Sequence, residues 1–226
     1  MNRAYIKAAA REQIKGNLWI IFGIIVMISV IAELASLITQ GINRILLEGG
    51  MSDATVFIAS VLAFVINIFV AAPFEISLAK VFLNLSEGIR PKISDTFWGF
   101  NYATKSVTAM LRMFVYICLW MLLFIIPGII MSYSYIMTPY IIAENPNASA
   151  KAAMKKSVRM MKGHKWELFV LQLSFIGWGV LTVLTFGILA IYVVPYMEAS
   201  VANFYQSLKG IENEPTIICS ADEYTE

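Results

Sequence analysis

The chain has 226 residues, of which 59% are hydrophobic and 14% charged, where a soluble domain has roughly 45–50% and about 25%. Such a chain is solvated by lipid, which excludes a water-soluble globule, and 17 Lys and Arg against 15 Asp and Glu leave a net charge of +2, too little to argue for nucleic acid. Two cysteines, Cys118 in an apolar run and Cys219 in the C-terminal tail, exclude a disulfide framework and read as inert thiols.

Arg3, Lys7, Arg11 and Lys15 precede the first apolar run, Leu18 to Ile38. That run is long enough to cross a bilayer, and its basic leader is longer than a secretory n-region, so it reads as a retained first span. Further spans are predicted over 54–72, 105–126, 128–143 and 165–185, with a sixth beginning at Gly187 and continuing past Met197 toward Leu208. Two stretches, Met113 to Ala143 and Leu168 to Met197, contain no charged side chain. A single thirty-residue helix would be about 45 Å long against a hydrocarbon core of about 30 Å. Pro127-Gly128 and Phe186-Gly187 break these stretches near their middles and predict the outer turns of two hairpins.

Lys and Arg fall almost wholly on one side of this pattern. Lys80, Arg90, Lys92 and Lys105 lie between spans two and three, and Lys151, Lys155, Lys156, Arg159, Lys162 and Lys165 between four and five, with Arg44 on the other side. The positive-inside rule then predicts an all-α polytopic protein of six transmembrane helices in three hairpins, with both termini cytoplasmic. Residues 1–210 form one membrane domain and 211–226 an acidic tail expected to be disordered.

The spans echo one another. Lys15-Gly16-Asn17-Leu18-Trp19 and Lys162-Gly163-His164-Lys165-Trp166 share K-G-x-x-W, followed by Phe22 and Phe169. The tryptophans suit a headgroup boundary, with the ring toward lipid and the N–H toward water. Pro73-Phe74 leads to Phe82 and Gly88, and Pro195-Tyr196 to Phe204 and Gly210, at the same offsets, with Pro139-Tyr140 a weaker third copy. These prolines should kink their helices. Beyond them, 74–85 and 196–208 are expected to lie along the interface or to project as amphipathic extensions. Ala148 to Met161 is the clearest amphipathic segment, with Ala148, Ala152, Val158 and Met161 as its apolar face.

Candidate functional residues fall into three groups. Glu33, Asn67, Arg112, Ser132 and Tyr135 are polar groups within the spans, where burial makes them suspects for an interior or ligand-facing role. Ser132, Tyr135 and Pro139 share one face of a continuous helix, and Gly128 with Ser132 forms a small-x-x-x-small pair suited to close packing. Glu75, Glu144 and Glu198 follow the three Pro-aromatic pairs and could line a vestibule open to the cytoplasm, or pair with the basic loops. Lys151, Lys155, Lys156, Arg159 and Lys162 are candidate contacts for anionic lipid headgroups. His164 is the one histidine, and the chain holds no phosphate loop, nucleophile elbow or zinc motif, so no catalytic residue, cofactor or metal site is predicted.

The blocks Met161 to Phe169, Leu173 to Trp178, Leu184 to Ile188 and Pro195-Tyr196 carry a resemblance. With Ala10 to Asn17, Pro127-Gly128-Ile129 and Ala143 to Pro146, the chain resembles the domain-of-unknown-function family 975 of bacterial membrane proteins. It is more remotely similar to the membrane domain fused to some glycerophosphodiester phosphodiesterases, whose hydrolase domain has no counterpart here. The resemblance implies a bacterial cytoplasmic membrane and a six-helix bundle, and it supplies no substrate. The leading expectation is a non-enzymatic membrane module acting through lipids or other membrane proteins. The alternatives are a small permease with a cavity open to the cytoplasm and, third, a membrane-embedded enzyme.

Overall fold

The computed structural model describes residues 3–213, and the acidic tail predicted from residue 211 lies, from residue 214 on, outside them. Every regular element is helical: α1 (Arg3–Ile14), α2 (Leu18–Glu48), α3 (Asp53–Ser86), a 3-10 segment (Ile93–Tyr102), α4 (Ala103–Leu123), α5 (Ile125–Tyr135), α6 (Thr138–Glu144), α7 (Ala150–Met160), α8 (Lys165–Leu173), α9 (Ile176–Leu184) and α10 (Ala190–Asn213). Among the described residues five stretches are long and apolar enough to cross a membrane, namely 18–48, 53–86, 93–123, 125–144 and 165–184. The protein is thus a multi-pass, lipid-contacting membrane protein. Helix α10, expected as a sixth span, is not among the five, because its second half carries Asn203, Gln206, Ser207 and Lys209.

The first two spans run further than the hydropathy predicted. Helix α2 continues through Arg44, supported by the Arg44–Glu48 pair at 2.9 Å one turn apart, and stops at Gly49 and Gly50, the latter at φ +69°. Ser52 caps α3 by accepting from the Thr55 N–H. The leader before span one is itself a helix, α1, which buries Ile6, Ala10 and Ile14 at helical spacing.

The K-G-x-x-W echo has one conformation in both copies. Gly16 (φ +82°) and Gly163 (φ +86°) each occupy the left-handed region in the turn that takes a basic amphipathic helix, α1 or α7, into an apolar one, α2 or α8. Trp19 and Trp166 follow, 75% and 71% exposed, as a boundary indole should be.

The turn at 186–187 is where the sequence placed it, with Phe186 at φ +52° and Gly187 at φ +85°. The turn expected at Pro127-Gly128 lies three residues earlier. Phe124 is extended, and Pro127 sits in the first turn of α5, where its missing N–H leaves nothing unsatisfied. Gly128 instead permits close packing, since a Cβ there would run into Met121 on α4.

The larger correction concerns 74–85 and 196–208. Pro73 and Pro195 lie inside continuous helices, and the segments beyond them form the core instead of lying along the interface. Phe82, Leu83, Tyr196, Phe204 and Tyr205 are all at most 1% exposed, in one cluster with Ile6, Ile14 and Ile21, and Phe74, 3% exposed, packs on Phe97 and Phe100 of the 3-10 segment. Their apolar stripes are satisfied by one another, because α3, α10 and α1 pack mutually. By contrast, outer positions such as Leu122, Leu123, Phe124, Val183 and Phe186 are 62–98% exposed, as lipid-facing side chains are when no bilayer surrounds them.

Two polar locks hold this end together. Gln13 and Asn203 exchange amide hydrogen bonds at 3.0 and 2.6 Å, and Arg11 Nε donates to the Tyr196 hydroxyl at 3.0 Å, joining α1 to α10. The 3-10 segment docks on α3 where Gly99 N–H donates to Ser77 Oγ (2.8 Å), which itself donates to the Pro73 carbonyl. A Cβ on Gly99 would collide with that carbonyl, so the contact requires glycine.

Candidate functional site

Two glutamates that follow helix-internal prolines line one cavity. Glu75 follows Pro73 by two residues on α3, and Glu198 follows Pro195 by three on α10. Both line a cavity of about 170 Å³ with Leu78, Ala79, Ile136, Pro139, Tyr140, Gln172, Met197 and Val201. No lysine or arginine is among these residues. Among the described residues neither carboxylate has a hydrogen bond or ion pair. Glu75 is open to this space and deep in the bundle at once, because it also borders two neighbouring voids. One, of about 420 Å³, is lined by Met113, Ser132, Tyr133, Ile136, Pro139 and Gln172. The other, of about 90 Å³, is lined by Ser106, Met110, Thr138 and Ile142 among others. The Tyr133 hydroxyl donates to Gln172 Oε1 at 2.7 Å and so fixes the amide in the wall. Tyr140 is stacked on Tyr205, ring centroids 5.6 Å apart.

Glu144, the third glutamate of the pattern, is not in this cavity. It is ion-paired with Lys209 and accepts from the Tyr205 hydroxyl at 2.6 Å, which ties α6 to α10.

The five polar span residues separate. Glu33 is on the exposed face of α2 and lines none of these cavities. Asn67 Nδ2 donates to Thr39 Oγ1 (3.2 Å) and to the Ala63 carbonyl, pinning α3 to α2. Ser132 borders the Glu75 cavity, whereas Tyr135 and Arg112 line a different cleft. Of the face expected for Ser132, Tyr135 and Pro139, Ser132 and Pro139 border one void while Tyr135 lines the other cleft; Ile136 and Met137 link α5 to α6 in a turn of right-handed helical dihedrals. Pro139 cannot donate to the preceding turn, and Ser157 Oγ crosses from α7 to the freed end, donating to the Ser134 carbonyl at 2.7 Å.

Helix α7 carries the opposite charge. Ser149 caps it, and Ala150, Ala153, Met154, Ser157 and Met160 form its buried face. That face lies about one residue out of register with the one expected; Ala152 is exposed. The register leaves a basic cleft on each flank. The first, of about 620 Å³, is lined by Lys155, Val158, Arg159, Lys162, Gly163, Lys165 and Trp166. The second, of about 500 Å³, is lined by Arg112, Tyr116, Tyr135, Lys151, Met154, Lys155 and Val158. Lys155 is common to both, and Lys156 lines neither. Trp166 stacks on Phe169 at 5.1 Å and walls the first cleft. On α1, the other basic helix, Lys7 Nζ lies 4.5 Å from the Phe175 ring centre; burial, and then the neighbouring Arg11, lower its pKa below the ordinary lysine value.

Among the described residues no three His, Cys, Asp or Glu side chains are grouped to hold a metal ion. The spacing from proline singled out Glu75 and Glu198, and an amide in an apolar run singled out Gln172 as a cross-helix group; Gly99 as an anchor had no such signal, because a contact between distant segments sets it.

The model of the family described as "Protein of unknown function (DUF975)" matches residues 104–212, from the start of α4 to the end of α10. No curated protein matches the chain, and no solved structure does.

Proposed function

Residues 104–212 belong to the DUF975 family, whose description states no activity, and we propose that the protein is a non-enzymatic membrane module that engages anionic lipid headgroups through α7. The observation that carries this reading is the pair of basic clefts sharing Lys155, one of them walled by an exposed interfacial tryptophan. A lipid phosphate accepts hydrogen bonds from lysine and arginine while an indole packs on the adjoining glycerol and acyl region. Each basic residue near an anionic surface contributes about 1 kcal/mol. In this reading α7 lies on the cytoplasmic side of a bacterial cell membrane. The chain makes six spans in three hairpins, with both termini on that side. The one-sided distribution of lysine and arginine and the two glycine turns support it. The non-enzymatic part rests on the sequence, which has a lone histidine and none of the nucleophile-elbow, phosphate-loop or zinc motifs.

Thermal unfolding in nanodiscs tests the proposal. Phosphatidylglycerol should raise the unfolding temperature over phosphatidylcholine, and the combined Lys155→Gln, Arg159→Gln and Lys162→Gln variant should lose that increment. An increment that persists in the triple variant counts against it.

A second reading, a small permease, is favoured by one observation: the Glu75 cavity and the 420 Å³ void share Glu75, Ile136, Pro139 and Gln172 as wall residues. Proteoliposome flux that depends on Glu75 would support it; no protein-dependent flux over a broad solute panel would remove it.

A further inference from the structure

The cavity between α3 and α10 joins two carboxylates, Glu75 and Glu198, that have no partner among the described residues and no basic side chain in the surrounding wall. Their equivalent on α6 shows what this fold does with a glutamate it neutralises internally: Glu144 has Lys209 and Tyr205. Glu75 is exposed to the cavity and Glu198 is half-buried in its wall; two unpaired carboxylates lining one space repel each other, and a bound cation offsets that repulsion.

The walls decide which kind of cation. A hard metal ion is held by six to eight oxygens. Beyond the two carboxylates the cavity offers the Tyr140 hydroxyl and Gln172, whose carbonyl oxygen already accepts from Tyr133. The rest is Leu78, Ala79, Ile136, Met197 and Val201, which offer a metal nothing. Those residues suit an alkyl body, and the tyrosine ring adds a face on which an ammonium group can rest. At about 170 Å³ the cavity is smaller than the roughly 300–1,000 Å³ of pockets for drug-sized ligands, which limits its occupant to a small molecule. Entry is through the wider void at Ser132 and Tyr133.

We infer that Glu75 and Glu198 form a binding site for a small alkylammonium ion, with a short diamine as the best match because each carboxylate then receives one ammonium group. The site is independent of the lipid reading, since it faces the bundle and not α7.

The test is isothermal titration of the full chain, in a non-ionic detergent that removes anionic lipid, with 1,4-diaminobutane, and with magnesium chloride and potassium chloride at matched ionic strength. Saturable heat is expected for the diamine alone. Glu75→Gln and Glu198→Gln each weaken it at least tenfold, and Glu33→Gln leaves it unchanged. Should a glutamine variant fail to elute as a single species, Ala79→Leu decides, because it fills the cavity and keeps both charges; binding should be lost there too. No saturable heat with the diamine, equal binding of magnesium, or undiminished diamine binding in the glutamine or Ala79→Leu variants overturns the inference.

Discussion

The rim at α7 and the cavity between α3 and α10 hold opposite charges on opposite terms. On the rim, Lys151, Lys155, Arg159 and Lys162 are exposed around open clefts, so solvent and salt screen each charge and the residues act as a sum. In the cavity Glu75, exposed to the void, and Glu198, half-buried in its wall, are two single groups, each without a substitute. Charge that is exposed and repeated gives a graded, salt-dependent surface. Charge that is enclosed and single gives a response that is present or absent.

The contrast depends on the core that separates the two regions, so the largest effect should come from damaging its anchor. Gly99→Val forces a side chain into the Pro73 carbonyl, two residues from Glu75, and should destabilise the protein by about 3 kcal/mol. Thermal unfolding in detergent reads this directly, and an unchanged midpoint would mean that the 3-10 segment does not brace α3.

Next in size, the three glutamates should respond differently to one substitution. Glu144→Gln removes an ion pair that is about one-third exposed and weakens an accepted hydrogen bond, a loss of about 1 kcal/mol after solvent screening. Glu75→Gln and Glu198→Gln break no bond and should not lower stability. Chemical unfolding of the three single variants sorts them, and equal losses would show that the cavity pair has partners after all.

Smallest is Lys155→Gln, which removes the one cation common to both clefts. It should weaken association with phosphatidylglycerol vesicles by about 1 kcal/mol at low salt, and the difference should shrink at 0.5 M salt as the Debye length falls. Vesicle co-sedimentation at two salt concentrations measures it. A salt-independent difference would place Lys155 in packing and not in charge.

Much of the architecture was legible because hydropathy and glycine act locally. The K-G-x-x-W echo marked the starts of two apolar helices, where the structure then shows Gly16 and Gly163 in the left-handed region, and Phe186-Gly187 marked its own turn. The core was not legible: an apolar stripe such as Phe74, Phe82 and Leu85 reads equally well as an interface helix until a second helix is known to cover it. The vestibule glutamates were visible in their spacing from proline, but spacing could not tell that Glu144 would find Lys209, sixty-five residues away, while the other two would find each other. Ser132 and Tyr135 were grouped by their spacing of three, yet on α5 that spacing leaves about 60° between side chains, and the two border different voids. Asn67 and Gln172 did prove to be cross-helix hydrogen-bonding groups, the role that an apolar surrounding imposes on an amide.

The lipid reading meets its most direct test in native mass spectrometry of the protein released from membranes rich in phosphatidylglycerol. The wild type and Glu75→Gln should both retain phosphatidylglycerol in preference to phosphatidylethanolamine, and the Lys155→Gln, Arg159→Gln, Lys162→Gln variant should retain neither preferentially. Equal retention of both lipids by the wild type, or an undiminished preference in the triple variant, would contradict the assignment of α7 as the headgroup-binding face.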